Sequence, residues 1–320
     1  MPSTEQLQPP ARTGRILVTG AGGFVGQALV AHLLRLGHAV TAVARHTPRG
    51  LAFPITQLPH YEDMAALMPG HDCLVHLAAR VHVMQETAGN PLEKFRAANT
   101  VLTTNLARSA AVAGIQRMVY LSSIKVNGEE TLPGQAFGPD DVCLPQGPYA
   151  VSKMEAEQQL QRICDDTGLA LVVVRPPLVY GAGVGANFAT LARAVQRGLP
   201  MPLGAIDNRR SLVSLDNLVE FLGVCVSHPA ASNHTFLVSD GEDLSTPELV
   251  RRMAACIGKP ARLVPVPTAI LTLLAALLGR QEQLHRLMGS LQVDISKNAA
   301  LLNWTPRCSV VDGLNKVMKK

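Results

Sequence analysis

The stretch that most constrains the fold is residues 19–26, where three glycines stand in the pattern G-x-x-G-x-x-G. The apolar run at 15–19 predicts a short strand, and the amphipathic pattern at 24–36 predicts a helix closed by Gly37. Residues 39–43 predict a second strand. Together these segments predict a β-α-β unit whose first connection is a tight glycine turn.

This glycine turn has a chemical use as well as a structural one. Glycine permits the tight turn, lets backbone amides approach a pyrophosphate, and lets the helix pack closely on the strand. The positive end of the helix favours the anion. A tight strand-to-helix loop needs glycines even without a ligand, but its position in the first β-α-β unit favours a dinucleotide site at Gly20, Gly23 and Gly26.

Further strand and helix patterns alternate along the chain. Apolar runs predict strands at 73–77, 117–121 and 170–174, separated by helical patterns near 91–113 and 149–166. This order predicts an α/β protein with a Rossmann-type doubly wound parallel sheet, helices on both faces, and ligands at the carboxyl ends of the strands.

The predicted domains follow from the same alternation. We expect a flexible tail at 1–13, a dinucleotide-binding domain at 14–178, and a smaller mixed α/β substrate domain at 179–320. Some segments of the substrate domain are expected to return to the first domain.

The charge, aromatic content and cysteines of the chain limit the class of ligand and the cellular compartment that we expect. The net charge of +5 would suit a polyanion, but the basic residues are scattered and only 4% of residues are aromatic, so a phosphorylated small molecule fits better than nucleic acid. The six cysteines lack C-x-x-C spacing, which favours reduced thiols, no metal site and the cytoplasm. The tail does not have the pattern of a signal peptide.

The most apolar run, residues 269–278, is shorter than the roughly 20 residues that a bilayer requires. We interpret it as a buried helix, and we expect neither a transmembrane segment nor peripheral membrane contact.

The end of the second predicted strand bears on the choice of dinucleotide. A carboxylate there would hold the ribose 2′-hydroxyl, but the chain has Arg45, whose guanidinium suits a 2′-phosphate. The alternative is a solvated arginine in a loop. We therefore favour NADP(H), with NAD(H) possible.

Tyr149 and Lys153 form a Y-x-x-x-K element in the last predicted helix of the first domain. Four residues apart, they share one helix face. A phenol has an intrinsic pKa of roughly 10, and a neighbouring ammonium favours the phenolate, so the pair suits proton transfer. An amphipathic helix with a surface lysine would give the same pattern.

With the glycine loop, the segments 76–79 (H-L-A-A), 121–123 (L-S-S) and the Y-x-x-x-K pair resemble an extended short-chain dehydrogenase/reductase of the NAD-dependent epimerase/dehydratase family. The resemblance covers nearly the whole chain. It implies that Ser123 hydrogen-bonds the substrate oxygen, that Tyr149 is the acid/base, and that Lys153 bridges the nicotinamide ribose and the tyrosine. The implied cofactor-binding residues are Gly20, Gly23, Phe24, Val25, Gly26, Arg45, Leu77, Ala78, Ala79, Tyr149, Lys153 and Pro176.

The same resemblance implies a UDP-sugar substrate and a homodimer formed through the helices near 91–113 and 149–166. Arg209 stands seven residues before Asp216, as does the arginine that clamps the diphosphate in the family. Arg286 is a weaker second clamp, because the family's R-x-G-D spacing is absent. The implied substrate-binding residues are Ser122, Ser123, Asn187, Arg209 and Arg286.

Differences from the family pattern reduce the number of reactions that the resemblance allows. Sugar dehydratases place an acid after the active hydroxyl, whereas Ile124 and Lys125 follow Ser123 here. The segment 122–129 most resembles UDP-4-keto-6-deoxy-N-acetylhexosamine 4-reductases of bacterial lipopolysaccharide synthesis, so a 4-reductase is the expectation. The alternatives are a UDP-hexose or UDP-N-acetylhexosamine 4-epimerase that retains NAD, and a non-catalytic dinucleotide sensor.

Overall fold

A seven-stranded parallel sheet forms the centre of the molecule in this computed structural model, which describes residues 13–48, 50–81, 90–132, 134–277, 279 and 281–319. In chain order its strands are β1 (Arg15–Thr19), β2 (Ala39–Ala44), β3 (Thr56–Gln57), β4 (Cys73–His76), β5 (Arg117–Leu121), β6 (Ala170–Arg175) and, from the second half of the chain, β9 (His234–Leu237). The spatial order is β3-β2-β1-β4-β5-β6-β9. The predicted Rossmann-type doubly wound sheet is confirmed.

The central strands are apolar without alternation because both faces of the sheet are covered. All four residues of β4 are buried, as are five of the six in β6. β1 and β5 have the predicted bounds, β2 and β6 extend one residue further, and β4 ends one residue earlier.

Helices cover both faces of this sheet. On one face lie α1 (Phe24–Arg35) and α6 (Leu215–Ser227), and on the other lie α2 (Pro91–Phe95), α3 (Leu102–Val112) and α4 (Gly147–Thr167). A 3₁₀ helix at Tyr61–Leu67 packs with α3. The predicted helix near 91–113 is interrupted by a π-helical segment at Arg96–Val101, which joins α2 to α3. Such segments are rare and are often found at functional sites.

The second half of the chain builds a smaller sheet with its own core. Its strands are β7 (Leu178–Tyr180), β8 (Arg210–Ser214) and β10 (Asp243–Leu244), with β7 parallel and β10 antiparallel to β8. The remaining helices are α5 (Ala186–Gln196), α7 (Thr246–Cys256), α8 (Thr268–Leu277), α9 (Gln281–Met288), α10 (Ser296–Leu302) and α11 (Val310–Met318). α5, α7 and α11 pack around Tyr180 and Leu212 of this sheet.

α8 corresponds to the apolar run at 269–278, and the expectation of a buried helix is wrong for one of its faces. Leu271 and Ala275 are buried, whereas Leu273 and Leu277 are 62% and 76% exposed. Within the described ranges, no helix combines the length and apolarity needed to span a membrane.

The two sheets are built from interleaved parts of the chain. After β8, α6 and β9 return to the large sheet, where β9 pairs in parallel with β6. Asn298 of α10 follows them and donates from its side-chain amide to the Leu237 carbonyl at 2.8 Å. Residues well beyond 178 therefore complete the first sheet.

Candidate active site

A cleft of about 1790 Å³ opens at the carboxyl ends of the strands and continues between the two sheets. Parallel strands place their following loops at the same edge, which is why distant sequence segments meet there. The predicted site residues that line it are Gly20, Gly23, Phe24, Val25, Gly26, Arg45, Leu77, Ala78, Ala79, Ser122, Ser123, Tyr149, Pro176 and Asn187.

The glycine loop forms one end of this cleft, and its glycines are required sterically. Gly20 has a φ of 69°, and a Cβ there would lie 2.7 Å from the Ala78 nitrogen. A Cβ on Gly26 would lie 2.2 Å from the Gly20 carbonyl oxygen. The glycine loop leaves room for a pyrophosphate. The first N–H groups of α1, which begins at Phe24, have no acceptors within the helix and can bind this anion. These residues therefore fit a dinucleotide.

Tyr61 supports this loop from below and was missed by the sequence analysis. Its hydroxyl accepts a hydrogen bond from the Gly20 N–H at 3.1 Å. Burial raises the pKa of Tyr61, while the Gly20 hydrogen bond and the charge of Arg45 oppose the rise. Arg45 is exposed and lies at this same end of the cleft. Tyr61 and Gly20 are 41 residues apart, so no local sequence pattern indicates this contact.

Ser123 and Tyr149 meet at the middle of the cleft. The Ser123 hydroxyl lies near enough to the Tyr149 phenol to affect its pKa. Tyr149 occupies the first turn of α4, and its ring contacts Phe95 edge to face, with the centroids 6.1 Å apart. Burial raises the pKa of Tyr149 to about 12, with the Ser123 hydroxyl opposing the rise. The expected lowering of this pKa by a neighbouring lysine is wrong for this structure, because burial has the largest effect and Lys153 does not contribute to the shift.

Lys153 lies one turn further along α4, beneath Tyr149, and is 1% exposed. Its Nζ donates to the Leu121 carbonyl at 2.7 Å and lies 4.1 Å from the centre of the Tyr120 ring. Burial lowers the pKa of Lys153 to about 7, and the charge of Glu157 acts in the opposite direction. The lysine is thus a buried, readily titrated group on the same helix as the tyrosine.

Ser122 takes part in a buried polar network instead of facing the cleft freely. Its hydroxyl donates to Glu157, which also receives two bonds from Arg175 Nε at 3.1 Å and one from Nη2 at 2.5 Å. Arg175 Nη1 donates to Asn127 at 2.9 Å. This network ties the ends of β5 and β6 to α4, and it positions the loop that carries Ser123.

The π-helical segment also contributes a buried polar residue that the sequence analysis missed. The Asn99 amide donates to the Arg80 carbonyl and to the Ser152 hydroxyl, each at 3.1 Å, and its oxygen accepts from the Arg80 N–H at 2.8 Å. Asn99 therefore ties the loop after β4 to α4 beside Tyr149. The irregular helix turns its side chain inward, which a helical periodicity cannot show.

The half of the cleft beyond Ser123, here called the polar half, contains several charged side chains. Lys125 and Glu129 form an ion pair there, with Nζ 2.8 and 2.9 Å from the two carboxylate oxygens. Glu130 lies 3.6 Å from His285 Nε2, and both line the cleft. Asn187, at the start of α5, is exposed in the same region.

The structure places Arg210, not Arg209, in this half of the cleft. Arg209 is exposed outside it, and its charge acts on Glu248. Arg210 begins β8 and donates from Nη1 to the Gly289 carbonyl at 2.8 Å. Side chains alternate along a strand, so adjacent arginines point to opposite sides. The side chain of Arg286, in α9, lies outside the described residues.

No group of three or more His, Cys, Asp or Glu side chains is placed to hold a metal ion in the part of the chain that the structure describes. The six cysteines are free thiols.

The parallel sheet, the glycine loop and the Ser123, Tyr149 and Lys153 group define an extended short-chain dehydrogenase/reductase. The model of the NAD dependent epimerase/dehydratase family matches residues 16–239, and the chain belongs to this family.

Relatives within this group differ in their reactions. The chain is 42% identical over 306 residues to a UDP-glucose 4-epimerase of Vibrio cholerae, covering 94% of this chain and 93% of the relative. It is 32% identical over 258 residues to a 2-alkyl-3-oxoalkanoate reductase of Stenotrophomonas maltophilia, covering 77% and 76%.

Among solved structures, a UDP-glucuronic acid 4-epimerase from Bacillus cereus in complex with NAD superposes with a TM-score of 0.75. It is 20% identical and the match covers 94% of this chain and 96% of that one, so the likeness concerns the fold.

Proposed function

We propose that this protein is a UDP-hexose or UDP-N-acetylhexosamine 4-epimerase that keeps its nicotinamide cofactor bound between turnovers. The observation that carries the proposal is the near full-length match to the UDP-glucose 4-epimerase of Vibrio cholerae. It supports the epimerase alternative better than the 4-reductase that the segment 122–129 led us to expect.

The geometry supports a reaction at one sugar carbon. Ser123 and Tyr149 line the cleft together, between the glycine loop and the polar half. A sugar carbon placed beside them would lie next to the space for the nicotinamide of a dinucleotide whose pyrophosphate the glycine loop would hold. When bound, that cofactor supplies the hydride acceptor and donor.

The residues of the chain then have separate roles. Tyr149 takes the proton of the sugar hydroxyl during oxidation and returns it during reduction, and Ser123 holds the same oxygen. Lys153, buried under the pair, adjusts the proton affinity of this group when its own charge changes. Since Arg210 lines the polar half and Arg209 does not, we assign Arg210 to the diphosphate in place of Arg209.

NAD(H) is the cofactor we propose, on the family match and the NAD that the Bacillus cereus structure contains. The preference for NADP(H) stays a prediction that depends on Arg45. The homodimer, the cytoplasmic location and the role in lipopolysaccharide synthesis also stay predictions.

The test is to incubate the purified protein, without added dinucleotide, with UDP-glucose and separately with UDP-N-acetylglucosamine. We expect one of these sugars to equilibrate with its 4-epimer without net oxidation or reduction of cofactor, and Tyr149→Phe to abolish the conversion. If neither sugar is converted, but a UDP-4-keto-6-deoxy-N-acetylhexosamine consumes NADH or NADPH in stoichiometric amounts, the protein is the 4-reductase instead.

A further inference from the structure

The pair formed by Lys125 and Glu129 lies close to the reacting hydroxyl, but the proposed reaction does not use it. The backbone N–H of Lys125 donates to Ser123 Oγ at 3.3 Å, so the lysine side chain starts directly beside Ser123. Both members line the cleft, and their side chains are only 30% and 26% exposed. The pair therefore borders the space that a sugar at Ser123 would occupy.

Both oxygens of Glu129 contact the same ammonium, which fixes the carboxylate and occupies the lysine. The charge of Glu129 also acts on the Arg210 guanidinium. A carboxylate held in this way remains an acceptor for hydrogen bonds from hydroxyl and amide N–H groups. It repels a second carboxylate, and the Lys125 ammonium offsets only part of that repulsion.

We propose that Glu129, held by Lys125, makes this site selective for neutral hexoses and against hexuronic acids. The inference rests on the proposed nucleotide-sugar substrate, but not on the direction or completeness of the redox cycle. Selectivity here depends on a repulsive group as well as on attractive contacts. The UDP part is common to both kinds of sugar, so its own interaction with Glu129 cancels when the two affinities are compared.

The experiment measures the dissociation constants of UDP-glucose and UDP-glucuronic acid by calorimetry, on the protein with its co-purified cofactor. The readout is the ratio of the two constants, uronic acid over glucose, for the wild type, Glu129→Gln and Lys125→Met. Glu242→Gln is the matched control, since Glu242 is half exposed and paired with Arg252 away from the cleft. Thermal unfolding of each variant checks that it is folded.

We expect a ratio of about ten or more for the wild type and for Glu242→Gln. Glu129→Gln removes the repulsion and frees Lys125, so its ratio should fall about tenfold or more. Lys125→Met leaves the carboxylate without its counter-charge, so its ratio should rise. Opposite changes in two variants of one ion pair do not arise from a general loss of structure.

Several results would overturn the inference. These are a wild-type ratio near one, an unchanged ratio in Glu129→Gln, or a lower ratio in Lys125→Met, which would mean that the lysine itself receives a uronate. Failure of both sugars and of UDP-N-acetylglucosamine to bind would overturn this inference and the proposed function together. Normal selectivity in binding without epimerisation would overturn the proposed function alone.

Discussion

Arg209 and Arg210 are neighbours in the chain, yet only Arg210 lines the cleft. Arg210 starts β8, and Leu212 follows it on the same face, also lining the cleft. Arg209 lies on the opposite side, near Glu248 at the start of α7. The two residues therefore provide an internal comparison of a cleft arginine with a surface arginine of identical chemistry.

If Arg210 holds the diphosphate, Arg210→Ala should weaken UDP binding by about 10- to 100-fold, the range expected for a charge-assisted contact. Arg209→Ala should change it by less than about twofold. Calorimetric titration of UDP into both variants tests this, and thermal unfolding controls for the lost bond to the Gly289 carbonyl. A larger loss in Arg209→Ala would restore the original assignment.

Tyr149→Phe keeps the ring and its contact with Phe95 but removes the proton donor. We expect kcat to fall by about 100-fold or more, with the amount of bound dinucleotide unchanged. Turnover assays together with spectroscopic measurement of the released cofactor separate the two effects. Near wild-type turnover would exclude Tyr149 as the acid/base.

Burial depresses the pKa of Lys153 in the folded protein to about 7, while the unfolded chain keeps the ordinary value of 10.5. Between these values the unfolded state binds more protons, so this residue makes the protein more stable as pH rises from 7 towards 10.5. At pH 6 both states are charged and the burial cost is present in full. The cost of burying the charged Lys153 at pH 6 should therefore be on the order of a few kcal/mol of folding stability.

Replacing the ammonium by an apolar group removes that cost. In the cofactor-free protein, the stability of Lys153→Met relative to the wild type should thus be greatest near pH 6 and should decline by pH 9. Urea unfolding at both pH values measures the difference. A difference that is constant with pH would show that Lys153 keeps its ordinary pKa in the fold.

Glu155 and Glu157 lie two residues apart on α4. Glu157 belongs to a buried ion pair, whereas Glu155 belongs to an exposed one. Glu157→Gln leaves the buried Arg175 charge without its partner and should destabilise the protein by roughly 3–5 kcal/mol. Glu155→Gln, which breaks the exposed pair with Arg96, should leave the urea midpoint close to that of the wild type. Equal effects of the two variants would contradict the structural role of the network.

Arg45 is the one residue on which the choice between NAD(H) and NADP(H) was based. Arg45→Asp should raise the ratio of the NADPH to the NADH dissociation constant by about tenfold or more, because a carboxylate accepts from a 2′-hydroxyl and repels a 2′-phosphate. Fluorescence titration of both cofactors measures the ratio. Equal losses for the two would show that Arg45 does not contact the 2′ position.

The sequence predicted most of the large sheet, and it predicted the glycine loop and the α4 pair that lie at the cleft, because local patterns encode them. A glycine turn between a strand and a helix, or Tyr149 and Lys153 at helical spacing, carries its geometry within a few residues. The strand bounds were therefore within one residue of those observed.

The points that the sequence analysis missed or left open depend on information that is not local. Whether Arg209 or Arg210 enters the cleft depends on where β8 begins, and a shift of one residue exchanges the two faces. The contacts of Tyr61 with Gly20 and of Ser122 with Glu157 join residues 41 and 35 positions apart. The burial that raises the Tyr149 pKa likewise depends on the assembled fold, not on the spacing to Lys153.

The return of α6 and β9 to the large sheet limits how this protein can be recombined with its relatives. A chimera joined once near residue 178 would carry a donor's α6 and β9 into the recipient's sheet, where β9 must pair with β6 and α6 must pack on α1. Substrate preference would therefore be transferred more cleanly by exchanging separate inserts, one on each side of α6 and β9. A chimera with a single junction would instead pack core residues of one protein against those of the other, at β6 with β9 and at α1 with α6.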